Sequence, residues 1–170
     1  MISFKQAEEK LHNGEMDAVL CHTYGCGKQE TAYYRDRLLH VIDGFRKRFT
    51  EKEIELFSAP GRTELGGNHT DHQCGNVLAG SVNLDIAACA APNGTNIIRI
   101  ISEGYPQDEI DISDLTPQPD EVNHTASLIR GVAAAAHKQG YTVGGFDCYM
   151  TSNVLGGGLA CLPLRHMRLR

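Results

Sequence analysis

The chain carries no surplus of positive charge. Its 170 residues hold 16 Lys and Arg against 21 Asp and Glu, a net charge of −5, so it lacks the clustered cations that nucleic-acid phosphates require. Nucleic acid is therefore not an expected partner. Long apolar runs are missing too: the longest, Asn76 to Val82 and Leu84 to Ala91, fall far short of the roughly 20 residues that span a bilayer. The N-terminus is acidic and amphipathic, without the basic-then-apolar order of a secretory leader. No internal repeat or low-complexity segment is present. A cytoplasmic protein with no membrane partner is expected. The six cysteines lack the paired spacing of a zinc site. Cys21-His-Thr-Tyr-Gly-Cys26 and His69-Thr-Asp-His72-Gln-Cys74 contain metal-ligating residue types, but neither supplies two ligand pairs at recognised offsets. No metal site is expected, and in a reducing compartment the cysteines rest as thiols. What remains is ordinary for a globular chain able to bury one core, 41% apolar and 22% charged.

Ser3-Phe-Lys-Gln6 has the form of a capping box, and Phe4, Ala7 and Leu11 share one helical face before Asn13-Gly14 ends the run. A glycine-punctuated turn follows at Gly25 to Gly27. Tyr34, Leu38, Val41, Ile42, Phe45 and Phe49 then recur at three- and four-residue steps, the pattern of a long amphipathic helix that Gly44 weakens only locally. Ile54, Leu56 and Phe57 predict a brief strand interrupted by Pro60-Gly61. Val77 to Val82, Leu84 to Ala91 and Asn96 to Ile101 read as three more strands, the last two joined by a hairpin turn at Pro92-Asn93-Gly94. Ile110 and Ile112 suggest another. A second long helix through Leu128, Val132, Ala135 and Ala136 closes at Gly140, and Phe146 to Thr151 forms the final strand. This mixed order predicts an α+β fold rather than a doubly wound parallel sheet.

Two segments carry chemistry. Ala59-Pro-Gly-Arg62-Thr-Glu-Leu-Gly-Gly67-Asn68-His69-Thr70-Asp71-His72 gathers a cation, an imidazole, an amide and a carboxylate around glycines, directly after a strand. Such groups donate to and accept from the hydroxyls of a sugar, and glycine lets the backbone come close. A polar turn capped by its own Asn and Asp has the same composition, so the residues alone leave both readings open. The second segment, Ser152-Asn153-Val-Leu-Gly156-Gly157-Gly158, follows a strand as phosphate-binding turns do, offering backbone N–H groups to an anion. A flexible loop is at least as common for a glycine run.

The first segment resembles the galactokinase signature, Gly-Arg-x-Asn-Leu-Ile-Gly-Glu-His-Thr-Asp-Tyr, within the small-molecule kinases that include homoserine, mevalonate and phosphomevalonate kinases. Gly61, Arg62, Leu65, Gly67, His69, Thr70 and Asp71 match it, and Gly75-Asn-Val-Leu78 and Val82-Asn-Leu-Asp85 resemble its continuation. Glu64 replaces the usual Asn, and Asn68 replaces a sugar-contacting Glu, exchanging a charge-assisted hydrogen bond for a neutral one. Galactose specificity is thereby less secure than sugar kinase activity. The second segment resembles the start of the family's ATP loop, Asn-Val-x-x-Gly-x-Gly-Leu-Ser-Ser-Ser-Ala-Ala.

The resemblance implies a fold like ribosomal protein S5 domain 2, a mixed sheet with helices on one face. It implies phosphorylation of galactose at the anomeric hydroxyl with MgATP as phosphoryl donor. Arg62 would be catalytic, beside that hydroxyl. Asn68, His69 and Asp71 would bind the sugar, and Ser152, Asn153, Gly156, Gly157 and Gly158 the nucleotide. On this reading residues 1–52 are a helical lead-in, 53–158 an incomplete sugar- and ATP-binding domain, and 159–170 an aberrant tail. The tail has none of the loop's serines, and Pro163 opposes a helix there. The chain is accordingly expected to be a truncated, inactive form; a non-catalytic sugar sensor and a non-functional remnant are the alternatives. A reading frame shifted by one base after Gly158 permits Gly-Leu-Ser-Ser-Ser-Ala-Ala-Tyr-Glu-Val, which restores the family loop in register. Sequencing the gene across the codons of residues 153–170 tests this: codons that encode that run in the shifted frame are expected, and any codon that forbids its serines or alanines refutes the frameshift.

Overall fold

In the computed structural model, residues 1–50, 53–67, 70 and 73–154 are described, together with the backbone of 165–167. The chain opens with β1 (Ile2–Ser3), α1 (Phe4–His12), α2 (Asp17–Tyr24) and α3 (Thr31–Arg46). The expected capping box starts α1: the Ser3 hydroxyl accepts from the Gln6 amide at 3.3 Å, and the Gln6 side chain accepts from the Ser3 amide at 3.1 Å. Helix α2 is the element the sequence pattern conceals. It is only 8 residues long, and its buried Leu20 and Tyr24 mark a stripe too short to show a period.

Then come β2 (Glu53–Gly66), β3 (Leu78–Pro92), β4 (Ile97–Ser102), β5 (Gln107–Asp111), α4 (Thr125–Lys138), β6 (Phe146–Ser152) and β7 (Arg165–Met167). The sheet order is β1-β2-β3-β6-β4-β5, with β7 also pairing β2. β4 and β6 are parallel and every other pair is antiparallel, so the sheet is mixed and the class α+β, as expected. Two strands differ from the sequence reading. β2 continues through Pro60-Gly61, and the two strands expected between residues 77 and 91 are one, β3, broken by a register shift. Pro60 pairs with Asp85 and Arg62 with Ser81, so Val82-Asn83-Leu84 bulges outward opposite Gly61. Proline is tolerated at such a bulge because no ladder hydrogen bond is asked of its nitrogen.

The turn after Pro92 does not make a hairpin of β3 and β4. Gly94 turns left-handed at φ 70°, but the chain swings wide and β6 runs between the two strands. Asn93 holds the gap: its side-chain Nδ2 donates to the Ile97 carbonyl at 2.9 Å and to the Asp147 carboxylate at 2.7 Å. The Gly145 amide donates to the Thr95 carbonyl at 2.7 Å. A Cβ on Gly145 would collide with the Ile97 backbone, so only glycine lets β6 enter here.

Side-chain alternation divides the core. Ile54, Leu56, Ala87, Cys89, Ala91, Ile101 and Tyr149 meet Leu11, Leu20, Leu38, Val41, Ile42 and Phe45, so α1 to α3 lie together on one face. The alternate positions Ile98, Ile100, Ile110 and Phe146 meet Ile129 and Ala133. Helix α4 thus lies against the opposite face near the β4–β5 edge, an addition to the one helical face expected. Arg130 fastens it there. Its guanidinium donates to both Glu121 carboxylate oxygens, at 2.8 and 2.7 Å, and to the carbonyls of Asp111 and Asp114.

Gly44 has a specific reason to interrupt α3. A Cβ at that position would fall within the ring of Tyr149, which is 8% exposed on the sheet below. Alanine gains about 1 kcal/mol of helix propensity over glycine, whereas overpacking a core costs about 1–3 kcal/mol. Gly44→Ala is therefore expected to lower stability in urea titration, and the double variant Gly44→Ala/Tyr149→Leu to recover part of the loss; a stabilised single variant would contradict this packing.

Candidate functional site

The bulge in β3 shapes the site. Leu84 begins the apolar end of the strand, and beside it Asp85 is 1% exposed. A buried carboxylate must be paired and hydrogen-bonded to persist, and here every neighbouring element contributes. Asp85 Oδ2 accepts from the Tyr24 hydroxyl of α2 at 2.8 Å and from the Ser58 hydroxyl of β2 at 2.6 Å. Asp85 Oδ1 accepts from Arg37 Nη1 of α3 at 2.5 Å, and the Asp85 carbonyl from Arg37 Nη2 at 3.5 Å. Burial, followed by the Asp85 charge, pushes the Tyr24 phenol well above its ordinary pKa and keeps it a donor. Tyr24 is also stacked on Tyr34 of α3, with ring centroids 3.8 Å apart.

The Asp85 backbone reaches the glycine segment. Its amide donates to Asn153 Oδ1 at 2.7 Å, and its carbonyl accepts from the Asn153 amide at 3.2 Å. Ser152 and Val154 close a small turn alongside, the Val154 amide donating to the Ser152 hydroxyl at 3.1 Å. Gly61 completes the junction. A Cβ there would stand 3.3 Å from the Leu84 carbonyl, the Val82 side chain and the Val154 side chain, so the two segments singled out in the sequence meet across a glycine.

A cavity of about 290 Å³ opens beside this junction, walled by residues 22–25 and by Ser58, Pro60, Ser81, Val82, Asn83 and Asp85. The bulged residues supply much of its wall. Arg62 lies half-buried further along β2, opposite Ser81, with Glu64 two residues on and opposite Ala79. Ser152 and Asn153 lie at the end of β6, as described. Asn68, His69, Asp71, Gly156, Gly157 and Gly158 lie outside the described residues. At the end of β6 the backbone is pinned to β3 at Asn153, and the described amides of Asn153 and Val154 donate to the Asp85 carbonyl and the Ser152 hydroxyl. Asn153 performs that pinning through its own side-chain oxygen, a duty its place in the sequence motif does not reveal.

The sequence placed Asp85 only in the continuation of the family signature, with no role for its carboxylate, and gave no sign of its partners Tyr24, Arg37 and Ser58. One signal was available, a lone carboxylate within the otherwise apolar run Leu84 to Ala91. Its partners come from three elements far apart in sequence and carry no local mark.

Residues 43–92 match the family model described as the galactokinase galactose-binding signature, a span that runs from the end of α3 through β2 and β3. A solved structure of Lactococcus lactis galactokinase complexed with galactose is similar, with a TM-score of 0.57 and 24% identity over 66% of this chain and 30% of that chain. The fold is galactokinase-like, and the chain spans 30% of the length of that relative. Among the described residues, no helix is long and apolar enough to cross a membrane.

The Asp85 network makes a graded set of expectations. Asp85→Ala leaves Arg37, with a side chain only 12% exposed, without its counter-charge, and removing one partner of a buried pair costs about 3–5 kcal/mol. Tyr24→Phe removes one of several donors and costs about 1 kcal/mol. Equilibrium urea unfolding should rank them in that order; equal losses would show that the carboxylate is not the hub.

Proposed function

We propose that this chain is the N-terminal, sugar-binding portion of a galactokinase-like kinase, which phosphorylates galactose at its anomeric hydroxyl. The observation that carries this reading is the galactose-binding signature over residues 43–92, laid on the β2–β3 pair whose bulge meets the start of the glycine segment. Transfer is proposed for a whole kinase of that kind, since this chain covers 30% of the galactokinase it matches, and sugar binding for the residues present here.

In this reading Arg62 sits beside the reacting hydroxyl, where a fixed cation favours its ionised form. Asn68, His69 and Asp71 orient the sugar through its other hydroxyls, each able to distinguish a correctly placed donor or acceptor from a missing one. Ser152, Asn153, Gly156, Gly157 and Gly158 are the residues to hold ATP with its Mg2+, which supplies the γ-phosphoryl group. Catalysis of this kind is chiefly positioning and charge stabilisation. The clamp on Asp85 therefore matters by keeping the two segments in one frame.

Ligand-dependent stability tests the proposal with the purified chain. At galactose about 100 times its Kd, mass action stabilises a binding-competent fold by about 2.7 kcal/mol. Galactose is expected to raise Tm, glucose to raise it far less, and Asp71→Ala to abolish the rise while leaving the sugar-free Tm unchanged. No shift with saturating galactose, in a chain that unfolds cooperatively, would refute sugar binding.

A further inference from the structure

The cavity wall formed by residues 22–25 has a cysteine at each end. Helix α2 finishes at Tyr24, Gly25 takes the left-handed conformation at φ 61°, and both the Gly25 and Cys26 amides return to the Cys21 carbonyl, the latter at 3.3 Å. The Cys26 Sγ itself lies over that turn, 3.9 Å from the Leu20 carbonyl. The Cys26 hydrogen bond is the long bond of a Schellman helix ending, in which the second residue past the helix frequently packs against the one a turn inside it. Two apolar side chains ordinarily make that contact. Here both are thiols, and both are half-buried. Burial first, and then the charge and hydrogen bond of Cys21 beside it, raise the pKa of the Cys26 thiol, as expected of neighbouring sulfurs. The other described cysteines are placed differently: Cys89 and Cys148 are buried and Cys74 is exposed.

We propose that Cys21 and Cys26 form a dithiol modification site, closed reversibly to a disulfide by small-molecule disulfides such as oxidised glutathione, and that closure braces the cavity wall bearing Tyr24. One thiolate of the pair attacks a sulfur of the small disulfide and releases one small thiolate, leaving a mixed disulfide. The second cysteine gives its proton to solvent, attacks the protein sulfur of that mixed disulfide and releases the other small thiol. The two cysteines are oxidised, and the small disulfide is reduced to two thiols. The helix ending supplies the proximity, so the second step outruns capture by another molecule. The disulfide then covalently fixes the turn that already depends on Gly25, and with it the phenol that donates to Asp85. This inference does not rest on the sugar reading.

The test uses the intact chain equilibrated in glutathione buffers of stepped redox ratio, then quenched, digested with trypsin and weighed. Cys21 and Cys26 share the tryptic peptide Leu11–Lys28, so closure appears as one peptide lighter by two hydrogens. The expected result is conversion to that form without accumulation of glutathione adducts, with a closure constant about tenfold or more above that of the urea-unfolded chain. Cys26→Ser and, separately, Cys21→Ser should instead hold a stable adduct on the remaining thiol. Amide exchange at residues 22–26 should slow on closure. Persistent adducts on both cysteines, disulfides to Cys74 instead, or the same constant in urea would overturn the site, and unchanged exchange would overturn the bracing.

Discussion

A single buried carboxylate ties this molecule together. Asp85 stands where the β3 bulge ends, and α2, α3 and β2 each commit a side chain to its oxygens. An isolated charge at that depth would cost several kcal/mol, so the fold tolerates it only when all three elements are in place. The helical layer and the sheet are consequently joined by more than apolar contact, which sets no direction. Hydrogen bonds to one carboxylate fix the angle at which α2 and α3 meet β3. The same residue's backbone then fixes Asn153, and the geometry is handed on to the glycine segment.

The bulge and the clamp depend on each other. Without Val82-Asn83-Leu84 displaced from the ladder, Asp85 and Ser81 would face β2 in simple register and the cavity beside them would be filled by pairing. Gly61 is the counterpart on β2, since its missing side chain leaves room for the displaced backbone and for Val154. The span that matches the galactokinase signature therefore includes a residue with a packing role, Gly61, next to Arg62, for which a catalytic role is proposed.

Much of the architecture could be read from the chain. The periodicity of Leu38, Val41, Ile42 and Phe45 gives α3 nearly to its ends, and Ser3 with Gln6 marks the start of α1. The α+β class follows from element order. Pairing was the illegible part. Pro92-Asn93-Gly94 is a turn, but nothing local says that the strands it joins will be separated by a third one arriving some fifty residues later. Proline and glycine in β2 signal an interruption, and only the partner strand shows that the ladder absorbs it as a bulge. At the site, the sugar and glycine segments were visible as motifs because their residues are contiguous. The Asp85 network was not, since Tyr24, Arg37, Ser58 and Asn153 are united only by the fold.

The placement of β6 has a consequence for how the sheet is made. β3 and β4 are synthesised early, yet the edge each offers to the other side of the gap is satisfied only by a strand ending at Ser152. Until β6 emerges, a growing chain carries two open edges rich in Ile and Ala, the kind of surface that other chains can join. Closing the gap also pairs residues far apart in the chain, a slow class of event. The sheet is thus completed in its middle last, by a strand that exists only after both of its neighbours.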